Sequence, residues 1–295
     1  MLLLPRLLAA VAPDGERTVQ VGDRTRSYVV RAPRGTVPGS PPLPVVVMLH
    51  GGGGNAANAE RMSGWTGLVE REGLIVVYGN GTGRRKDRLL TWNATHCCGH
   101  AMTTKVDDAA YLDAVLDAVA REFPVDPARI YLTGMSNGAM AAHRLARERS
   151  QRIAAIGPVV GAVFGDEPPA ASPVSAIIFN GLEDTNVPPD GGLGQGPGRR
   201  AWDGTPARPN EAQGEYWARV NGCDATPQVD DQGPVIRWRW RCPPGRAVEL
   251  YQLRDGAHAW PGGRSGRRFG PEPGTVLDAT ETMWAFFKAH PKPAS

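Results

Sequence analysis

The sequence is poor in lysine. Of 33 basic residues only Lys86, Lys105, Lys288 and Lys292 are lysines, which reads as coding bias rather than chemistry. No run of about 18 apolar residues exists, so no membrane-spanning helix is expected. The net charge is only +3, and no basic cluster stands beside interleaved aromatics, which excludes an obvious nucleic-acid partner. No two of the four cysteines have the C-x-x-C spacing of a metal site, and neither metal nor cofactor is expected. Internal repeats and low-complexity tails are missing as well. A monomer acting on a small or polymeric ligand is what remains.

What is present fits a folded chain. Its 295 residues are 41% hydrophobic, enough for a sizeable core. The 37 glycines and 27 prolines predict many turns and long surface loops. The stretch 1–12 is apolar, short, and broken by Pro5 and Arg6. It reads as an N-terminal extension or the remnant of a signal peptide, ending by residue 16. Cys223 and Cys242 flank a segment with a plausible hairpin turn. A disulfide there closes a loop of about 20 residues, worth roughly 3 kcal/mol in the chain-entropy model; two buried free thiols are the alternative. Cys97 and Cys98 can only pair with each other or stay reduced. The even cysteine count favours an oxidising compartment, secreted or periplasmic.

Short apolar runs alternate with longer amphipathic ones. Val45–Leu49, Leu74–Tyr78, Ile130–Thr133, Ala176–Phe179 and Val248–Leu253 read as strands. Arg17–Val21 and Ser27–Arg31 read as a hairpin around Gly22-Asp23. Leu112, Val115, Leu116 and Val119 share a helical face, with Asp107 and Asp108 at its positive end. Further helices are expected after Ser136, over Glu211–Val220 and over Thr275–Lys288. Trp217 and Trp284 lie at core spacing on helices, and Trp238 and Trp240 on one face of a strand. The segment 191–209, rich in glycine and proline, reads as a long surface loop rimming a site. The alternation predicts an α/β fold: one domain over 17–295, a mainly parallel central sheet, and helices on both faces.

Gly134-Met135-Ser136-Asn137-Gly138 fits G-x-S-x-G. The pattern sets a serine on a sharp strand-to-helix turn, where flanking glycines let backbone pass closely. Its context agrees, because Ile130–Thr133 precedes it and Ala139-Met140-Ala141-Ala142 follows. A glycine-rich turn with a capping serine is the plain alternative. A nucleophilic serine needs a base, and the base an orienting acid. Downstream of Ser136 stand only His143, His258 and His290. His143 lies in the same helix and His290 in the tail, which leaves His258 in the loop after Val248–Leu253. The loop leaving Ala176–Phe179 offers Asp184, with Glu183 as its neighbour and rival. Leu49-His50-Gly51-Gly52-Gly53-Gly54-Asn55 follows a central strand. It suits an oxyanion hole: one backbone N–H from Gly52, or from Gly51 next to it, and a second from Asn137. His50 is expected to brace that loop. Trp260, two residues from His258, and Trp92 are expected to contact substrate, although core packing would also account for them.

Taken together these segments resemble the polyhydroxybutyrate depolymerase and feruloyl esterase family of α/β-hydrolases, in its LpqC-like branch. The resemblance runs over roughly residues 17 to 291. It adds Thr91-Trp92-Asn93 leading into Cys97-Cys98-Gly99, Val106-Asp107-Asp108, and Asp184 with Val187-Pro188. It continues through Trp217 to Asn221-Gly222-Cys223, Gly256-Ala257-His258-Ala259-Trp260-Pro261-Gly262, and Asp278 to Phe287. The resemblance implies a secreted serine esterase acting on aryl esters or polyesters, an aromatic polyester such as PET included, with Ser136, Asp184 and His258 as its triad. Some relatives bridge cysteines placed directly before the serine and the histidine. Here Met135 and Ala257 occupy those positions. A serine peptidase of the same fold and a non-catalytic binding module on a hydrolase scaffold are the alternatives.

Overall fold

A strand buried on both faces is made mostly of apolar residues, and five mostly apolar runs lie in the central part of one sheet. The structure is a computed structural model describing residues 14–85, 88–195, 197–266 and 271–293, so the stretch 1–12 lies outside the described residues. The strands are β1 (Gly15–Val21), β2 (Arg24–Arg31), β3 (Leu43–Leu49), β4 (Ile75–Gly79), β5 (Val125–Met135), β6 (Ala155–Val159), β7 (Ser175–Gly181), β8 (Gln228–Asp230), β9 (Val235–Trp240) and β10 (Val248–Leu253). The helices are α1 (Ala56–Ser63), α2 (Val69–Glu72), α3 (Gly99–Thr103), α4 (Asp108–Glu122), α5 (Asn137–Glu148), α6 (Glu211–Asn221) and α7 (Ala279–Ala289).

The strands run in the order β1-β2-β4-β3-β5-β6-β7-β10-β9-β8. Neighbours from β4 to β10 are parallel, while β1, β2, β9 and β8 pair antiparallel at the two edges. This is the α/β-hydrolase fold. Side chains alternate between two cores. Val45, Val47 and Leu49 of β3 join α4, α5 and α6 in one, whereas Val46 and Met48 join α1 and α7 in the other.

Helices α1, α2 and α3 and strand β8 join the elements expected from the sequence, and two further departures from the sequence reading have a physical reason. Helix α7 begins at Ala279, not at Thr275, because Asp278 caps it by accepting the Glu281 N–H at 3.0 Å. Strand β6 was absent from that reading. It contains Gly157 and Pro158, which depress strand propensity. Its pairing to β7 accordingly has partners at Ile156 and Val159 and none between. Gly157 is there for packing: a Cβ on it would run into the Met283 side chain of α7.

A buried ion pair ties the sheet edge to the loops above it. Arg26 of β2 donates to the Asp108 Oδ1 at 2.7 Å, and both side chains are almost fully buried. Arg26 also donates to the Asn80 carbonyl and lies 3.9 Å from the Tyr111 ring centroid. The Asp108 Oδ2 accepts the Asn93 N–H at 2.8 Å. Removing one member leaves the other charge buried without its partner. Arg26→Met is therefore expected to destabilise the fold by about 3–5 kcal/mol, lowering the thermal midpoint by roughly 10 °C. Calorimetry beside wild type checks this; an unchanged midpoint would refute it.

Candidate active site

Parallel strands deliver their following loops to one edge of the sheet. β5 leads directly to Ser136, β7 leads to Asp184, and β10 leads to His258. Ser136 has φ 56° and ψ −122°, a strained backbone for a side-chain-bearing residue. Two glycines make the turn possible. A Cβ on Gly134 would meet the Gly138 carbonyl, and one on Gly138 would meet the Leu49 and His50 carbonyls. The Ser136 N–H donates to the Val159 carbonyl at 2.9 Å, fixing the turn against β6. Ser136 stands at the N-cap of α5 yet makes no side-chain capping bond, so its hydroxyl is not used to hold the helix.

His258 and Asp184 meet. The His258 Nδ1 lies 2.7 Å from the Asp184 Oδ2. An ionised carboxylate only accepts, so Nδ1–H donates and Nε2 keeps its lone pair. The Asp184 Oδ1 accepts the Asn186 and Val187 N–H groups at 2.8 and 2.9 Å. Asp184 is buried, while its rival Glu183 is exposed. The acid is thus held by two backbone amides that the sequence reading did not anticipate. The Glu183 N–H to Gly256 carbonyl bond at 2.9 Å joins the two loops.

The glycine-rich loop lies against the elbow. An ideal Cβ on Gly51 would sit 3.6 Å from the Ser136 Cβ, and one on Gly52 would sit 3.6 Å from the Asn137 Cβ. His50 is fully buried beneath it. Its Nδ1–H donates to the Gly51 carbonyl at 2.8 Å, and its Nε2 accepts the Gly81 N–H at 3.0 Å. Burial pushes its pKa down to about 4, so the ring is neutral near pH 7. Carbonyl and N–H of one trans peptide point opposite ways. Holding the Gly51 carbonyl therefore also sets the direction of the Gly52 N–H. Asn137 contributes a second brace, since its side chain donates to the Trp92 carbonyl at 3.0 Å and accepts the Trp92 N–H at 2.7 Å.

The tryptophans expected at the substrate are elsewhere. Trp92 is fully buried, with its indole N–H donating to the His50 carbonyl at 3.0 Å. Trp260 is 1% exposed, and its indole N–H donates to the Thr280 Oγ1 at 2.9 Å. A large ring whose polar tip finds an internal partner gains more from burial than from solvent. Both rings are scaffold: Trp92 supports the glycine loop and Trp260 anchors the histidine loop to α7. Both expected and open cysteine pairings are disulfides, Cys223–Cys242 and Cys97–Cys98.

Known proteins agree with this architecture. A family model described as esterase PHB depolymerase matches residues 26–186. A putative esterase, NocK, from Nocardia uniformis subsp. tsuyamanensis is 29% identical over 274 residues, covering 86% of this chain and 76% of its own length. Feruloyl esterase B from Piromyces equi is 27% identical, covering 83% of this chain, which spans only 44% of that enzyme. Among solved structures, the acetyl xylan esterase from Aspergillus awamori superposes with a TM-score of 0.62 at 15% identity, covering 93% of this chain and 99% of that one. With more than half of its length matched by that family model, the chain belongs to the PHB depolymerase esterases.

Proposed function

We propose that this esterase, of the feruloyl esterase and PHB depolymerase type, works through a Ser136-His258-Asp184 triad on aromatic or polyester-type carboxylic esters. The observation that carries the reading is the 2.7 Å bond from His258 to a buried Asp184, at the sheet edge that also bears the strained Ser136. Ser136 Oγ attacks the ester carbonyl carbon while its proton passes to His258 Nε2. Asp184 keeps His258 in the tautomer with a free Nε2 and stabilises the imidazolium. The Asn137 and Gly52 N–H groups face the developing oxyanion. The tetrahedral intermediate collapses as the carbon–oxygen bond to the alcohol breaks and His258 protonates that alcohol. Water, deprotonated by His258, then attacks the acyl-serine, and the acid leaves with Ser136 restored.

The candidate substrates of this reading are hydroxycinnamate esters, acetylated sugars, hydroxyalkanoate oligomers and aromatic polyesters such as PET. Two disulfides support a secreted or periplasmic setting. No helix among the described residues is long and apolar enough to cross a membrane. A fluorophosphonate probe tests the reading, because it phosphonylates only an activated serine. Mass spectrometry is expected to find the adduct on the peptide containing Ser136. An unlabelled chain that is folded would end the proposal, and a binding module on the same scaffold would then be the better account.

A further inference from the structure

The buried state of Trp92 and Trp260 leaves open what an aromatic substrate would rest against. Eight tryptophans are present, and six are buried: Trp65, Trp92, Trp217, Trp240, Trp260 and Trp284. Of the other two, Trp238 lies within β9, next to the edge strand, where it pairs with Leu250, stacks on Trp240 and donates to Gln252. Trp202 is different. It is partly exposed and lies in the long segment 191–209 that leaves β7.

Three loops at the carboxyl edge converge on Trp202. Its backbone pairs with Cys97 as an isolated antiparallel bridge, which sets the two Cα atoms about 5 Å apart. The Cys97 Sγ is in turn 3.7 Å from the Asn137 side-chain nitrogen, next to Ser136. The Phe164 ring meets Trp202 edge-on, with centroids 5.7 Å apart. Phe164 lies in the loop after β6, whose Gly161 would press any Cβ against Ala139, a helical neighbour of the elbow. The Arg208 N–H donates to the Val163 carbonyl at 2.9 Å and holds the far end of the segment to that same loop.

A charged clamp fixes this rim. His96 Nδ1 lies 2.8 Å from the Asp203 Oδ2, and His96 Nε2 lies 2.9 Å from the Asp166 Oδ2. Burial works against a charged ring, but the ring's hydrogen bonds to the two carboxylates outweigh it and raise the His96 pKa. The Asp203 N–H donates back to the His96 carbonyl at 3.1 Å. Residues 96, 166 and 203 thereby tie three separate loops together immediately beside Trp202. An indole held this firmly loses little freedom when a second ring stacks on it.

We infer that Trp202 forms the aromatic acyl subsite of the esterase, stacking on the planar acyl group of the ester and selecting it over an aliphatic one. This rests on the triad reading above. The experiment compares methyl ferulate with methyl butyrate, which share one leaving alcohol and differ only in the acyl group. Full-length wild type, Trp202→Ala and Trp202→Phe are assayed by pH-stat. Trp202→Ala is expected to lower kcat/KM for methyl ferulate by about tenfold, chiefly through KM, and to leave methyl butyrate within about twofold. Trp202→Phe, which keeps a stacking face, is expected to recover most of the loss. An equal fall on both esters would show a purely architectural role and overturn the subsite. So would unchanged methyl ferulate turnover in Trp202→Ala. A wild type that cleaves methyl butyrate but not methyl ferulate also overturns it while leaving the triad standing. Failure on both esters, with Ser136 unlabelled by the fluorophosphonate, removes the triad and the subsite together.

Discussion

Ser136→Ala is expected to reduce kcat for p-nitrophenyl acetate by about 10⁵- to 10⁶-fold without unfolding the chain. The size follows from the division of labour. Without the hydroxyl no acyl-serine can form, and His258 has no proton to accept. In the oxyanion hole proposed above the Gly52 and Asn137 N–H groups would still bind a carbonyl oxygen, so a residual rate over water of roughly 10³- to 10⁴-fold is expected. Stability should hardly change, for a reason specific to this turn. An N-cap serine commonly contributes about 1 kcal/mol by bonding an orphan amide, but Ser136 makes no such bond. Alanine also has the same backbone restriction as serine at φ 56°, so the strain of the turn is unaltered. Steady-state kinetics and a thermal melt on the same preparation check both halves. Turnover within tenfold of wild type would exclude Ser136 as the nucleophile.

The strand-to-helix turn at Ser136 was legible in the sequence because everything that defines it is local. The glycines, the preceding apolar run and the helix-forming run after it lie within about a dozen residues. β10 was legible from end to end for the same reason, since Val248–Leu253 is a mostly apolar stretch, broken only by Glu249 and Gln252, that ends at Arg254-Asp255-Gly256. β6 was not, because Gly157 and Pro158 answer to Met283 and to the sheet ladder rather than to strand propensity.

The tryptophans fail differently. Trp260 is two residues from His258, yet adjacent positions send side chains in different directions, and this one points down to Thr280 in α7. The His96 clamp joins residues 70 and 107 positions apart, and Trp202 gains its place through that closure together with its bridge to Cys97. No spacing rule connects such positions. The acid proposed for the triad stands between these cases: the loop holding it was legible, while the preference for Asp184 over Glu183 rests on which carboxylate turns inward. Burial favours Asp184.

Asp184→Asn turns that choice into a measurement, with an expected fall in kcat of about 10⁴-fold at neutral pH. The argument rests on counting donors. The carboxylate accepts three hydrogen bonds, from His258 Nδ1–H and from the Asn186 and Val187 N–H groups. Asparagine has one oxygen and one NH₂. The two backbone amides can only donate, and they share Oδ1, so the asparagine oxygen is drawn to that position. Its NH₂ then faces His258 and must be accepted by Nδ1. The proton of the neutral ring moves to Nε2, where it confronts the Ser136 hydroxyl as a donor instead of a base. The fold keeps its shape, because the amides remain satisfied and no volume is lost. Glu183→Gln alters the same loop at an exposed side chain and is expected to stay within about twofold of wild type. If Asp184→Asn retains activity within tenfold while Glu183→Gln collapses it, the orienting acid is Glu183, and the inward carboxylate at 184 serves only to cap its own loop.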